Sequence, residues 1–270
     1  MKILIFPETA IKQTNVFIKV DCGLGRLGVQ VEEAEDFIKK IIALPNIFIE
    51  GIYTHLPFKN AAGLAWVQPK LRLFDQLLAR LKSVGIDPPV TQSIASSGIV
   101  CGVKTACNSD CPGHLLYGGL SRVTPDLGDL SGFDPVLKAV KSKLIHIECH
   151  SNDKTFGVGG CQSLKSGSIT GVVPIGLHDG YRPAIPGQTA EMLIREQRVP
   201  VLSVSQECTV LDITAIHDPQ LGEEVIVLGE SGNGNIAIEE MPQWFGGIPL
   251  DVLMMFNERL PYRYLGDLFS

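Results

Sequence analysis

Residues 16–29 read VFIKVDCGLGRLGV: a β-branched apolar run that stops at Asp21 and opens into a turn carrying Gly23, Gly25 and Gly28, with one arginine, Arg26, among them. Val16–Val20 has the length and composition of a buried strand. EEAEDFIKKIIAL (32–44) follows, with Phe37, Ile38, Ile41 and Ile42 on one helical face, and Pro45-Asn46 ends it. IFIEGIYTH (47–55) is the next strand. AWVQPKLRLFDQLLARLKSVG (65–85) repeats Val67, Leu71, Phe74, Leu77, Leu78 and Leu81 at helical spacing and stops at Gly85. VTQSI (90–94) predicts a third strand and GHLLYGG (113–119) a fourth. Strands that alternate with helices form a parallel sheet through right-handed crossovers.

After TPDLGDLSGFDP (124–135) the pattern changes. LKAVKSKLIHIEC, SITGVVPIGL, AEMLI, VPVLSV, CTVLDITAI and EEVIVLGE are β-rich and separated by turn residues, which predicts an antiparallel β domain. The boundary falls near Asp134, giving domains 1–133 and 134–270. Four βα units are half of an eight-unit barrel, which needs about 200–250 residues. The fold class is therefore α/β plus all-β: the C-terminal half of a TIM-type barrel, then the β domain.

Composition narrows the partners. The net charge of −6 is spread along the chain, and no basic stripe suggests nucleic acid. No apolar run approaches the roughly 20 residues that span a bilayer. MKILIFPETAIK is too brief for a signal peptide. Seven cysteines, an odd number, predict reduced thiols and a cytoplasmic location. Cys107, Cys111 and His114 form C-x3-C-x2-H, three borderline ligands on one loop, but no second CxxC pair accompanies them and buried thiols are the simpler reading. No metal is expected. Cys208 and His178 are a pair that sequence alone leaves open.

Several ordered stretches resemble the alanine racemase family, whose members join a barrel to a β domain and use pyridoxal 5'-phosphate. KVDCGLGRLGV, IEGIYTH, IASSG, CPGHLLYGG, VVPIGLHDGY, RVPVLSVSQECTVLDIT, GEEVIVLGE and IPLDVLMMFNERLPYRY occur in the family's order. The resemblance implies that Arg26 holds the substrate carboxylate, a task suited to a permanently charged, forked guanidinium. It implies that Lys19 matches a lysine whose side chain can be carbamylated to brace Arg26, and that His55 flanks the cofactor ring. Ser96, Gly113 and His114 would hold the phosphate, and Cys111 stands where an arginine meets the pyridine nitrogen.

The same resemblance implies two catalytic groups that this sequence does not supply. The family lysine lies on an earlier strand, and the fifteen residues before Val16 contain no such motif. The catalytic tyrosine position, read through KTFGVGG, is Val158. Leu177 and Leu250 occupy two further tyrosine positions, and Thr209 a substrate-contacting methionine. The chain thus resembles a racemase truncated at its N-terminus and divergent at its site. Its implied function is pyridoxal-phosphate chemistry on a small amino acid, not competent alone. Its implied partner is a second copy in a homodimer or a companion racemase-like half-barrel. The alternatives are a non-catalytic assembly subunit and an inactive fragment.

Overall fold

The computed structural model describes residues 12–118, 124, 126–156 and 162–266. The chain divides into two compact units, Met1–Val136 and Leu137–Ser270.

In the first unit, β1 (Thr14–Asp21), β2 (Val29–Gln30), β3 (Ile47–Leu56) and β4 (Val90–Ile94) form a parallel sheet in the order β2-β1-β3-β4. α1 (Ala34–Ile42) and α2 (Ala61–Ser83) are the crossovers, so the architecture is that of half a (βα)8 barrel. One sheet face seals against them: Ile18, Val20, Ile49 and Ile52 share a buried cluster with Ile38 and Ile41 of α1 and Val67, Leu71, Phe74, Leu77 and Leu81 of α2. A register shift makes this possible. Val16 pairs with Ile49 but Phe17 with Gly51, so Glu50 bulges out and Ile49 and Ile52 both face the helices. The opposite face carries Phe17, Lys19, Tyr53 and His55.

α2 begins at Ala61, four residues before the stretch 65–85 that predicts it, because Asn60 caps it by accepting from Gly63 N at 3.0 Å. It stops as the sequence predicts. Gly85 donates to the Lys82 carbonyl at 3.1 Å and Ile86 to the Leu81 carbonyl at 2.9 Å, the paired closure that a left-handed glycine permits. One expectation fails. GHLLYGG is not a strand; Gly113–Tyr117 is a 3-10 turn. Ser109 bridges Gln92 in parallel and Cys111 N donates to the Ile94 carbonyl at 3.2 Å, so pairing along β4 runs one turn earlier. Pro112, with no N–H, cannot extend that ladder.

In the second unit an eight-stranded sheet takes in β5 (Val140–Lys143), β6 (His146–Cys149), β9 (Ile169–Val173), β10 (Glu191–Ile194), β11 (Gln197–Val204), β12 (Thr209–Asp212), β13 (Glu224–Ser231) and β14 (Gly234–Ile236). Its path is β14-β13-β10-β11-β12-β9-β6, with β5 also on β13, and its pairs are antiparallel as expected. β7 (Lys154–Phe156) and β8 (Gln162–Leu164) form a separate antiparallel pair. Arg195 and Glu196 both take positive φ, the geometry of a two-residue hairpin turn between β10 and β11. Arg195 anchors that turn by pairing with Glu223 and donating to the His217 carbonyl at 2.8 Å. Met192, Leu193, Leu211, Ile213 and Val225 are fully buried. α4 (Met241–Phe245) and α5 (Pro249–Met255) end the unit. No helix among the described residues is long and apolar enough to cross a membrane.

Candidate functional site

The C-terminal end of β1 is organised by Asp21. Its carboxylate is buried and accepts from Gly23 N at 2.9 Å and Gly25 N at 3.1 Å. These backbone N–H groups hold the Asp21 carboxyl below the usual carboxylate range, against the opposing effect of burial. The turn then closes back through β2, where Val20 pairs with Val29. Gly28 must be glycine: its φ is 132°, and a Cβ there would stand 2.7 Å from Asp21 N. The result is a short, tied loop that presents Arg26, exposed, at the strand end. That is the structural reason for one guanidinium among three glycines.

Arg26 does not stand alone. Lys19 on β1 is the register partner of Tyr53 on β3, and its Nζ lies 5.7 Å from the Tyr53 ring centroid. His55 follows two residues later on the same face. Its imidazole is held below the ordinary value, first by burial and then by the charges of Arg26, Lys19 and His114. Four of the sequence-named residues therefore share one electrostatic neighbourhood. A neutral imidazole beside the Arg26 guanidinium and the Lys19 ammonium suits an anionic ligand.

The end of β4 supplies the rest. Ile94 is its last residue, and Ser96 opens α3 (Ser96–Val100), buried. The Ser96 hydroxyl donates to the Pro112 carbonyl, and a Cβ on Gly113 would lie 3.4 Å from Ser96 Oγ. Ser96, Cys111, Gly113 and His114 thus converge at one strand end. Gly113 and His114 start a 3-10 turn, so their N–H groups have no partner within it. The glycine leaves the space before them open. To serve a phosphate, the Ser96 hydroxyl would turn away from Pro112, because it has one proton to donate. Nearby, Ser97 Oγ accepts from Phe58 N at 3.0 Å and ties β3's exit loop to α3.

Cys107 departs from this grouping. It packs against the helix-side core with its thiol 3.3 Å from Ser93 Oγ, and burial raises its pKa. Among the described residues no three His, Cys, Asp or Glu side chains are grouped to hold a metal ion. In the second unit, Val158 lies outside the described residues. Leu177 is exposed in a 3-10 turn and Leu250 sits at the start of α5. Thr209 is fully buried and donates to the Ile175 carbonyl at 2.7 Å, a contact that serves the β domain's own packing. His178 Nδ1 lies 2.6 Å from Glu207 Oε1, so its described partner is a carboxylate, and Arg259 joins Glu207 at 3.0 Å.

Sequence reasoning missed Asp21 as the loop's anchor and Tyr53 as the partner of Lys19. Both had signals. An aspartate two residues before a glycine is a turn-former, and Tyr53 lies two positions before His55 in an alternating strand.

Comparison with known proteins gives one family. The alanine racemase N-terminal domain matches residues 5–121 and the alanine racemase C-terminal domain residues 137–264. The alanine racemase of Methanococcus maripaludis is 30 % identical over 256 residues, covering 94 % of this chain and 68 % of that protein. That of Thermodesulfovibrio yellowstonii is 34 % identical over 251 residues, covering 93 % of this chain and 65 % of that protein. The chain thus spans about two thirds of the length of the curated relatives it matches. The folds agree as well. The alanine racemase of a D-cycloserine-producing Streptomyces lavendulae superposes with a TM-score of 0.84 at 22 % identity, over 97 % of this chain and 69 % of that one. The Bacillus anthracis alanine racemase with bound L-Ala-P gives 0.82 at 23 %, over 94 % and 65 %. With both domain types matched in order along nearly all of its length, the chain belongs to the alanine racemase family.

Proposed function

We propose that this chain supplies the carboxylate- and phosphate-binding part of an alanine-racemase-type site, working with pyridoxal 5'-phosphate on a small amino acid. One observation carries the reading: the charges of Arg26, Lys19 and His114 act on a half-buried His55 near the end of β3, beside the end of β4 where Ser96 and Gly113 lie together. The donor set fits the cofactor's anionic end, since the N–H groups of Gly113 and His114 and the Ser96 hydroxyl can face a phosphate over a glycine-lined opening. When bound, the cofactor would supply an electron sink for the substrate's α-carbon. Arg26 would hold the carboxylate, Lys19 would brace the guanidinium once its amine is carbamylated and so carries a negative charge, and neutral His55 would lie against the ring. Cys111 would offer the pyridine nitrogen a weak thiol donor in place of a cation.

The lysine that holds the cofactor covalently in the family would come from the third of a racemase's length that this chain does not match, on the same polypeptide or on a companion half-barrel. A homodimer or that companion is the proposed assembly. The six described cysteines are all free, which supports a cytoplasmic setting. A second reading, a non-catalytic assembly subunit, is favoured by the aliphatic residues Val158 and Leu177 at two positions that the resemblance gives to tyrosine.

Titration of the folded chain with pyridoxal phosphate, followed by absorbance and equilibrium dialysis, tests the proposal. Saturable binding that inorganic phosphate displaces and Gly113→Val weakens is the expected result. No binding, alone or beside a racemase N-terminal half-barrel, overturns it. Binding without turnover of alanine beside that half-barrel favours the assembly reading.

A further inference from the structure

The helical layer of the first unit holds a cavity unrelated to the strand ends. It has a volume of about 460 Å³ and lies between α2 and the segment that follows α3. Leu71 and Val103 belong to its apolar wall, and Leu71 is itself part of the sheet–helix core. Gln68, Arg72 and Lys104, all exposed, form the polar rim of its open side. Neither Arg72 nor Lys104 forms an ion pair or hydrogen bond among the described residues. The cavity's acid, Asp75, is engaged: it accepts from Ala106 N at 3.3 Å. Cys101 completes the lining, half-buried.

We propose that this cavity binds a small organic monoanion, a carboxylate with a short apolar body. The volume lies within the range of about 300–1,000 Å³ typical of small-molecule sites. Among the lining side chains two cations stand against one carboxylate, and the further negative charge of Asp126 reaches Cys101, so the site suits a monoanion better than a dianion. A guanidinium fork with a nearby ammonium pairs with a planar carboxylate, and Gln68 adds an amide donor. The apolar wall then covers the ligand's body. α2 places Gln68, Leu71, Arg72 and Asp75 on one helical face by their three- and four-residue spacing, so the lining is set by the helix itself.

Cys101 reports occupancy. Burial, and then the charge of Asp126, raise its pKa, so its alkylation is slow and sensitive to any added cover. The experiment alkylates the 270-residue chain with iodoacetamide at mildly alkaline pH and quantifies Cys101 and exposed Cys149 by peptide mass spectrometry. Benzoate, its neutral analogue benzamide and inorganic phosphate are the added probes. Benzoate should slow Cys101 severalfold and saturably while Cys149 is unchanged, and benzamide and phosphate should not. The doubly substituted R72Q/K104Q chain, with glutamine a good helix former at the α2 position, should lose at least about fivefold in apparent benzoate affinity. Its unchanged melting temperature would show that folding is intact. Equal protection by benzamide, protection by phosphate alone, retained protection in the doubly substituted chain, or no protection by benzoate overturns the proposal.

Discussion

Lys19 and Tyr53 face each other across β1 and β3 as register partners, with the ammonium 5.7 Å from the ring centroid. Tyr53 also meets Phe17 edge-on, with ring centroids 6.5 Å apart. On the sheet face away from the helices, Phe17 precedes Lys19 along β1 and Tyr53 stands level with Lys19, so aromatic and cationic groups adjoin toward the strand ends. His55, two residues beyond Tyr53 on β3, is held below its ordinary value first by burial and then by the charges of Arg26, Lys19 and His114. Replacing Tyr53 by leucine should remove the aromatic cradle of Lys19 at a cost of about 0.5–1 kcal/mol, read as a shift in the urea midpoint.

Arg26→Gln should raise the pKa of His55, because one of the cations that depress it is gone. An NMR titration of the imidazole Cε1–H signal measures this directly. The sign for stability follows. A depressed native value means the unfolded chain binds protons more readily, so His55 favours folding above the ordinary imidazole range. That contribution is lost as pH falls toward the native value. In R26Q the loss should be smaller over the same window.

Asp21→Ala should loosen the glycine turn and destabilise the chain by about 1–3 kcal/mol at neutral pH, since the backbone N–H groups of Gly23 and Gly25 lose a charged, buried acceptor. The native carboxyl titrates below its unfolded value, so its stabilisation is present at neutral pH and disappears as pH falls through the native pKa. Urea denaturation at neutral and strongly acidic pH should show the variant and parent converging in acid. A parallel pair of curves would contradict this.

Tyr181 is fully buried, packs edge-on against Phe245 with ring centroids 5.4 Å apart, and has no hydrogen-bond partner for its hydroxyl among the described residues. Burial pushes the phenol's pKa well up. Tyr181→Phe should leave stability unchanged or raise it by up to about 1–3 kcal/mol, the range for an unsatisfied buried polar group. Tyr181→Ala should lose about 3–5 kcal/mol through the cavity left behind. Thermal unfolding distinguishes the two.

Much of the fold was legible because its signals are local. The alternation around Val16–Val20, the apolar repeat of α2 and the glycine that closes it all appear within short windows, and each became the element it predicted. The fourth strand was misread because GHLLYGG is apolar and Gly-bounded, while the deciding fact is the missing N–H of Pro112, one residue before it. The candidate site was legible only through resemblance. Nothing in the spacing of Lys19, Arg26, His55 and His114 says that they meet, because a parallel sheet joins strand ends that are far apart in sequence. Asp21 and Tyr53 were passed over because their work is to hold other residues.

The bulge at Glu50 brings Phe17 over Gly51 so closely that any Cβ at 51 would run into the ring. Positions 17 and 51 thus compete for one volume, and their effects should be epistatic. A screen for second-site suppressors of Gly51→Ala should return smaller residues at 17. Among natural variants, a side chain at 51 should travel with a lost aromatic at 17, a covariation imposed by a single misplaced residue in one strand.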